Sequence, residues 1–168
     1  MKYITLALLA MLTITACKKK NIVTDQHVYT HTTEYLTGRS IGTVNRSSGE
    51  WYNINLGSNT VFLYSHSSDI PNASDASWGN SIIFQVDSGV TSFSYTDAQL
   101  AQHLSYFEQG GGFGEYHQYP LSKGTISGHK VSEYLWNVSI DLILPVSNDI
   151  TKTAIVKETN DYKPGPVL

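Results

Sequence analysis

Tyr134-Leu135-Trp136-Asn137-Val138-Ser139-Ile140-Asp141-Leu142-Ile143-Leu144 decides the fold class. Tyr134, Trp136, Val138, Ile140, Leu142 and Leu144 share one face at a spacing of two. Asn137, Ser139 and Asp141 share the other. Successive side chains of a strand point to opposite faces, so this pattern marks a half-buried strand of an antiparallel sheet. Lys123 to Val131 precedes it as a hairpin partner. Ile150 to Lys157 returns beside it, with Asn148-Asp149 in the turn.

Upstream, short β-type runs alternate with turn residues. Val28 to Leu36 ends at Thr37-Gly38, and Ser40 to Asn45 follows. Ser47-Ser48-Gly49 turns into Trp51 to Leu56, and Gly57-Ser58-Asn59 turns into Thr60 to His66. Such short connections suit an antiparallel meander, because parallel crossovers need a dozen residues or more. Ser67 to Asn80 is rich in Ser, Asp, Asn and Ala and reads as a long surface loop. Ser81 to Val86 resumes as a strand, with Ile82, Phe84 and Val86 on one face and Ile83 on the other. Thr91 to Tyr95 is a further short strand.

One helix is expected near Asp97 to Gln109. Thr96 and Gln99 fit a capping box, and Asp97 favours the helix start. Leu100, Ala101, Leu104 and Phe107 then form a stripe at helical spacing, read as core packing. Gly110-Gly111-Gly112 stops it and opens a loop through Tyr119. Asp161 to Leu168, with Pro164 and Pro166, reads as a flexible tail. No repeat recurs at a fixed period. The expectation is a mainly β fold: an antiparallel sandwich or a small, partly open barrel of about seven or eight strands, with one α-helix.

Charged residues make up only 15% of the chain, and the formal net charge is −3. That balance argues against a nucleic-acid partner, which asks for a basic face. The sole cysteine, Cys17, closes a run in which Lys2 precedes an apolar stretch from Tyr3 to Ala16. The stretch is too short for a transmembrane helix and has the layout of a secretory signal. Ile14-Thr15-Ala16-Cys17 resembles the lipobox of bacterial lipoproteins. The resemblance covers about the first twenty residues. It implies cleavage before Cys17, acylation of Cys17, and attachment to the envelope of a Gram-negative bacterium, at the outer membrane. Residues 1–16 are then signal, 17–26 a lipid-anchored tether, 27–160 a single mainly β domain and 161–168 the tail. Cleavage removes Lys2 and no acid, leaving 10 basic and 14 acidic residues, a formal −4. The nine residues Lys18 to Gln26 reach at most about 30 Å.

No residue pattern announces catalysis. Gly110-Gly111-Gly112-Phe113-Gly114 lacks the Lys and Ser/Thr of a phosphate loop and follows a helix signal instead of a strand. Ser127-Gly128-His129-Lys130 matches a Ser-x-x-Lys string, but in a β-type run and without partner motifs. The six histidines lack zinc-site spacing. Asp69, Asn72 and Asp75 do not follow the EF-hand order. Glu108 and Glu115 flank the glycines as a carboxylate pair whose separation the sequence leaves open. No catalytic residue, metal site or cofactor is therefore assigned.

Exposed aromatics offer another chemistry, since they stack on sugars or fill a partner's pocket. Trp78, Phe113, Tyr116 and Tyr119 are the candidate anchors, carried on the loops Ser67–Asn80 and Gly110–Tyr119, with a protein or a glycan as partner. A non-enzymatic binding or assembly module is the first reading. A lipocalin-like carrier of a small apolar ligand is the second, although the family's Gly-x-Trp signature is missing, Trp51 following Glu50. An envelope polymer hydrolase is the third.

Overall fold

A computed structural model describes residues 28–46, 49–69, 77–111, 116–146 and 149–166. The signal, Cys17, the tether and Phe113 lie outside the described residues. Nine strands form: β1 (Val28–Arg46), β2 (Gly49–Asp69), β3 (Trp78–Val86), β4 (Ser92–Thr96), β5 (Tyr106–Gly111), β6 (Tyr116–Pro120), β7 (Gly124–Ser132), β8 (Leu135–Val146) and β9 (Asp149–Pro164). The helix α1 is Ala98–Gln102. The fold is mainly β, as the alternating pattern requires. None of the described helices is long and apolar enough to cross a membrane.

The strands run in the order β4-β7-β8-β9-β1-β2-β3-β5-β6, and the sheet does not close on itself. Every pairing is antiparallel except β1 with β9, which meet only at Glu34–Lys163 and Tyr35–Pro164. At this short seam the sheet folds into two layers, β4-β7-β8-β9 against β1-β2-β3-β5-β6. The result is an open sandwich.

The interior follows the period-two pattern closely. Trp136, Val138, Ile140, Leu142 and Leu144 of β8 are buried against Phe62, Tyr64, Ile82, Phe84 and Val86 of the facing layer. Phe62 lies at the centre. Its ring stacks on Phe84 at 5.0 Å and meets Trp136 and Tyr162 edge-on at 5.3 and 5.7 Å. Tyr134, the first residue of the deciding stretch, sits in the β7–β8 turn and is exposed.

Three expectations change. The helix is five residues long. Gln99 Oε1 does accept from the Thr96 N–H at 3.0 Å, but the cap residue is Asp97 and its side chain makes no capping hydrogen bond, so the expected Thr96 capping box does not form. Leu104 then adopts a positive φ, and Tyr106 onward extends as β5. Leu100 and Phe107 both enter the main core, from helix and strand respectively, so a stripe at helical spacing was also satisfied by a helix–strand junction. The glycines Gly110 and Gly111 are paired with Gly79 and Trp78 inside the sheet, which supplies the backbone partners they lack as a free loop. This conversion gives nine strands in place of seven or eight. The tail also docks. Tyr162 is fully buried, and Asp161 and Tyr162 pair with Asn137 and Trp136, so the chain is strand to Pro164. The burial of one large ring outweighs the looseness that the prolines suggested.

Candidate binding groove

Gly38, read as the end of a strand, bends one instead. Its φ of +68° is accessible to glycine at little steric cost. Pairing jumps there from Thr37–Thr60 to Arg39–Leu56. The far half of the β1–β2 hairpin, residues 39–46 and 49–56, is thereby laid across the outer face of β2, β3 and β5. Ile41, Val61, Ile83 and Tyr106 form a second buried cluster there, with Tyr52, Ile54, Leu63 and Leu104 packed around it. The face would otherwise expose its apolar side chains to water.

Polar side chains fasten this arm. Gln85 Oε1 accepts from the Ile41 N–H at 2.8 Å. Gln118 Oε1 accepts from the Tyr52 N–H at 2.7 Å, and Gln118 Nε2 donates to the Tyr52 carbonyl at 3.2 Å and to Glu108 Oε1 at 2.6 Å. Rings stack between arm and sheet: Tyr52 on Tyr106 at 4.5 Å, and Trp51 on Tyr116 at 5.5 Å, with the Arg46 guanidinium 5.0 Å from the Trp51 centroid.

Two adjoining hollows result. One, of about 500 Å³, runs over Ser65, Ser67, Gly79, Ser81 and Gly110 and is bounded by Glu108 and Tyr116. The other, of about 590 Å³, lies against the arm and is lined by Arg46, Trp51, Tyr52, Tyr106 and Gln118, again with Glu108 and Tyr116. Glu108 and Tyr116 thus form the partition between them. Burial pushes the Tyr116 phenol well above its ordinary range, and a hydrogen bond to Glu108 and that carboxylate's charge push it further; a hydrogen bond with Gln118 acts the other way. Burial raises Tyr106 too, with the charge of Glu108 next in importance. Both phenols therefore stay neutral near one carboxylate.

Trp78 and Tyr116, 38% and 44% exposed, both touch the first hollow, but strand alternation puts their rings on opposite faces of the sheet: Tyr116 stands with Gly110 and Glu108 on the groove face, and Trp78 with Gly111 on the other. Both are on strands, not on loops. Ser67, Ser68 and Trp78–Asn80, read as loop, belong to the β2–β3 ladder, and Asp69 pairs with Val28 of β1. Tyr119 goes elsewhere: it packs on Phe107, 6.4 Å between centroids, against the main core. The aromatic contributions of Trp51 and Tyr52 were hidden in what read as an ordinary strand, because only the Gly38 bend carries them to Tyr116 and Tyr106.

The groove can stack rings and exchange hydrogen bonds. Among its described lining residues Glu108 is the one carboxylate, and Glu115 lies outside the described residues. No group of three metal-ligating side chains occurs among the described residues. No family model, curated protein or solved structure matches the chain.

Proposed function

We propose that this chain is a membrane-anchored, extracytoplasmic binding module of a Gram-negative envelope. Acylated Cys17 would hold it at the outer membrane, and the groove on the outer face of β2, β3, β5 and β6 would be its working surface. The observation that carries the reading is the pair of hollows that meet at Tyr116, a half-exposed ring stacked on Trp51 and set beside Glu108. Soluble domains bury most of their aromatic surface, and rings left half-exposed at a concave site are the usual anchors of recognition.

The interior supports binding on the surface over carriage inside. The space between the layers is filled by Phe62, Phe84, Trp136 and Tyr162, where a lipocalin-like carrier needs room for its ligand. Among the described lining residues Glu108 is the single carboxylate and stands beside no His or Cys, which favours binding over hydrolysis. Tethering adds local concentration, so a weak site suffices.

Two measurements test the two halves. Metabolic labelling with a fatty acid should mark the wild-type chain, and Cys17→Ala should abolish the label and release the protein from the membrane fraction. Immobilised full-length protein should retain envelope fragments, and Trp51→Ala and Tyr116→Ala should each reduce that retention at least tenfold. Retention unchanged in both variants would remove the groove from consideration.

A further inference from the structure

We infer that the hollow over Gly79 and Gly110 is a subsite for a primary ammonium group. This rests on reading the groove as the working surface. Gly79 and Gly110 pair directly opposite each other on β3 and β5. On the groove face Ser67 and Tyr116 flank them in the same cross-strand row, and Ser81 and Glu108 stand in the next. The hollow is the space that two missing side chains leave among these four. Gly79 has no local reason to be glycine. Its φ is not positive, and a Cβ added there would meet nothing closer than 3.5 Å. Glycine weakens a strand interior and often marks a place where a ligand comes close to the backbone.

The chemistry around the hollow selects a cation. Glu108 is half-buried, and its partners are neutral donors: the Gln118 amide at 2.6 Å and the Tyr116 hydroxyl. It forms no ion pair among the described residues. A partly desolvated carboxylate gains from a cation, and this one keeps lone pairs after two donors. Ser65, Ser67 and Ser81 add hydroxyl acceptors, and an ammonium group is all donor. Tyr116, 44% exposed, adds a ring, whose face attracts cations. Arg46 belongs to the adjoining hollow, where it lies over the Trp51 ring at 5.0 Å. The two hollows meet at Glu108 and Tyr116. A ligand that extends from one to the other therefore carries its ammonium over the glycines and a carboxylate, not a second cation, towards Arg46.

The test is to titrate the intact full-length protein with Nα-acetyl-lysine, pentylamine, cadaverine and the neutral Nα,Nε-diacetyl-lysine, following the backbone amides of Gly79 and Gly110 by NMR. Saturable shifts are expected with Nα-acetyl-lysine, weaker binding with the two free amines, and none with the diacetyl compound. Glu108→Gln should weaken binding at least tenfold. Gly79→Val, which fills the hollow without removing the carboxylate, should weaken it similarly and leave the melting temperature unchanged or higher. Preference for Nα-acetyl-lysine assigns the ammonium to an amino acid or peptide; preference for the free amines keeps the ammonium subsite and removes Arg46 from the ligand's reach. Equal binding of the diacetyl compound, or binding indifferent to both Glu108→Gln and Gly79→Val, would overturn the ammonium subsite. If no amine binds but Gly79→Val still lowers retention of envelope fragments, the ammonium subsite falls and the groove stands. If neither responds, both readings fall.

Discussion

The side-chain amide of Gln118 pairs with the backbone of Tyr52 as a neighbouring peptide group would. It accepts from the Tyr52 N–H at 2.7 Å and donates to the Tyr52 carbonyl at 3.2 Å. β6 thereby grips the folded arm of the β1–β2 hairpin without forming a ladder with it. The same amide holds Glu108 at 2.6 Å, so one side chain links the arm to the partition of the groove.

Gln118→Leu should therefore remove three hydrogen bonds at once. Removing the partner of a part-buried donor or acceptor costs about 1–3 kcal/mol. The urea midpoint should fall accordingly with the slope unchanged. Gln118→Glu should cost more at neutral pH, because it sets a second carboxylate against Glu108, and should recover in acid. Midpoints equal to wild type in both variants would mean that the arm is held by its rings alone.

The two layers are joined in the middle by Phe62, which is fully buried and touches rings from both. Phe62→Ala should cost about 3–5 kcal/mol, the usual range for deleting a core phenylalanine. Calorimetry or urea unfolding reads this directly. A loss below about 1 kcal/mol would show that the layers do not depend on a shared aromatic core.

Alkaline pH should loosen the fold. Burial, followed by a hydrogen bond and charge from Glu158, pushes Tyr64 up to about 12. Burial, followed by the charge of Asp87, pushes Tyr95 to about 12 as well. An unfolded tyrosine titrates near about 10. Above that pH the unfolded chain loses protons that the folded protein keeps, so unfolding gains free energy. This stability is complete below about pH 10 and is lost as pH rises through about 12. Melting curves should fall across that window, and less steeply in a Tyr64→Phe, Tyr95→Phe double variant. A flat profile would contradict the burial of these phenols.

Much of this architecture was legible in the residues. The alternation from Trp136 to Leu144 identified the central strand and its buried face, and Ile82, Phe84 and Val86 segregated from Ile83 as their spacing required. Long-range events were not legible. Gly38 marked a local change of direction, but a bend and a strand end share the same local chemistry; only pairing with β2 distinguishes them. Leu100, Leu104 and Phe107 satisfied a helical period, yet partners on β3 and β6 draw Phe107 into a strand. Tertiary pairing overrode local preference there. At the groove, Tyr116 was recognisable as an exposed ring, Trp78 is equally exposed but on the other face of the sheet, and Trp51, Tyr52 and Gln118 come to the groove only once the arm folds over.

The central claim is that the outer face of β2, β3, β5 and β6 is where this protein meets its partner. Amide chemical-shift mapping of the full-length protein, titrated with solubilised envelope glycan and protein fragments, tests it most directly. Shifts concentrated at Ser65–Ser67, Trp78–Ser81, Glu108–Gly111 and Tyr116–Gln118 are expected. Shifts confined to the opposite surface, around Ser139, Asp141, Lys157 and Thr159 of β8 and β9, would contradict it.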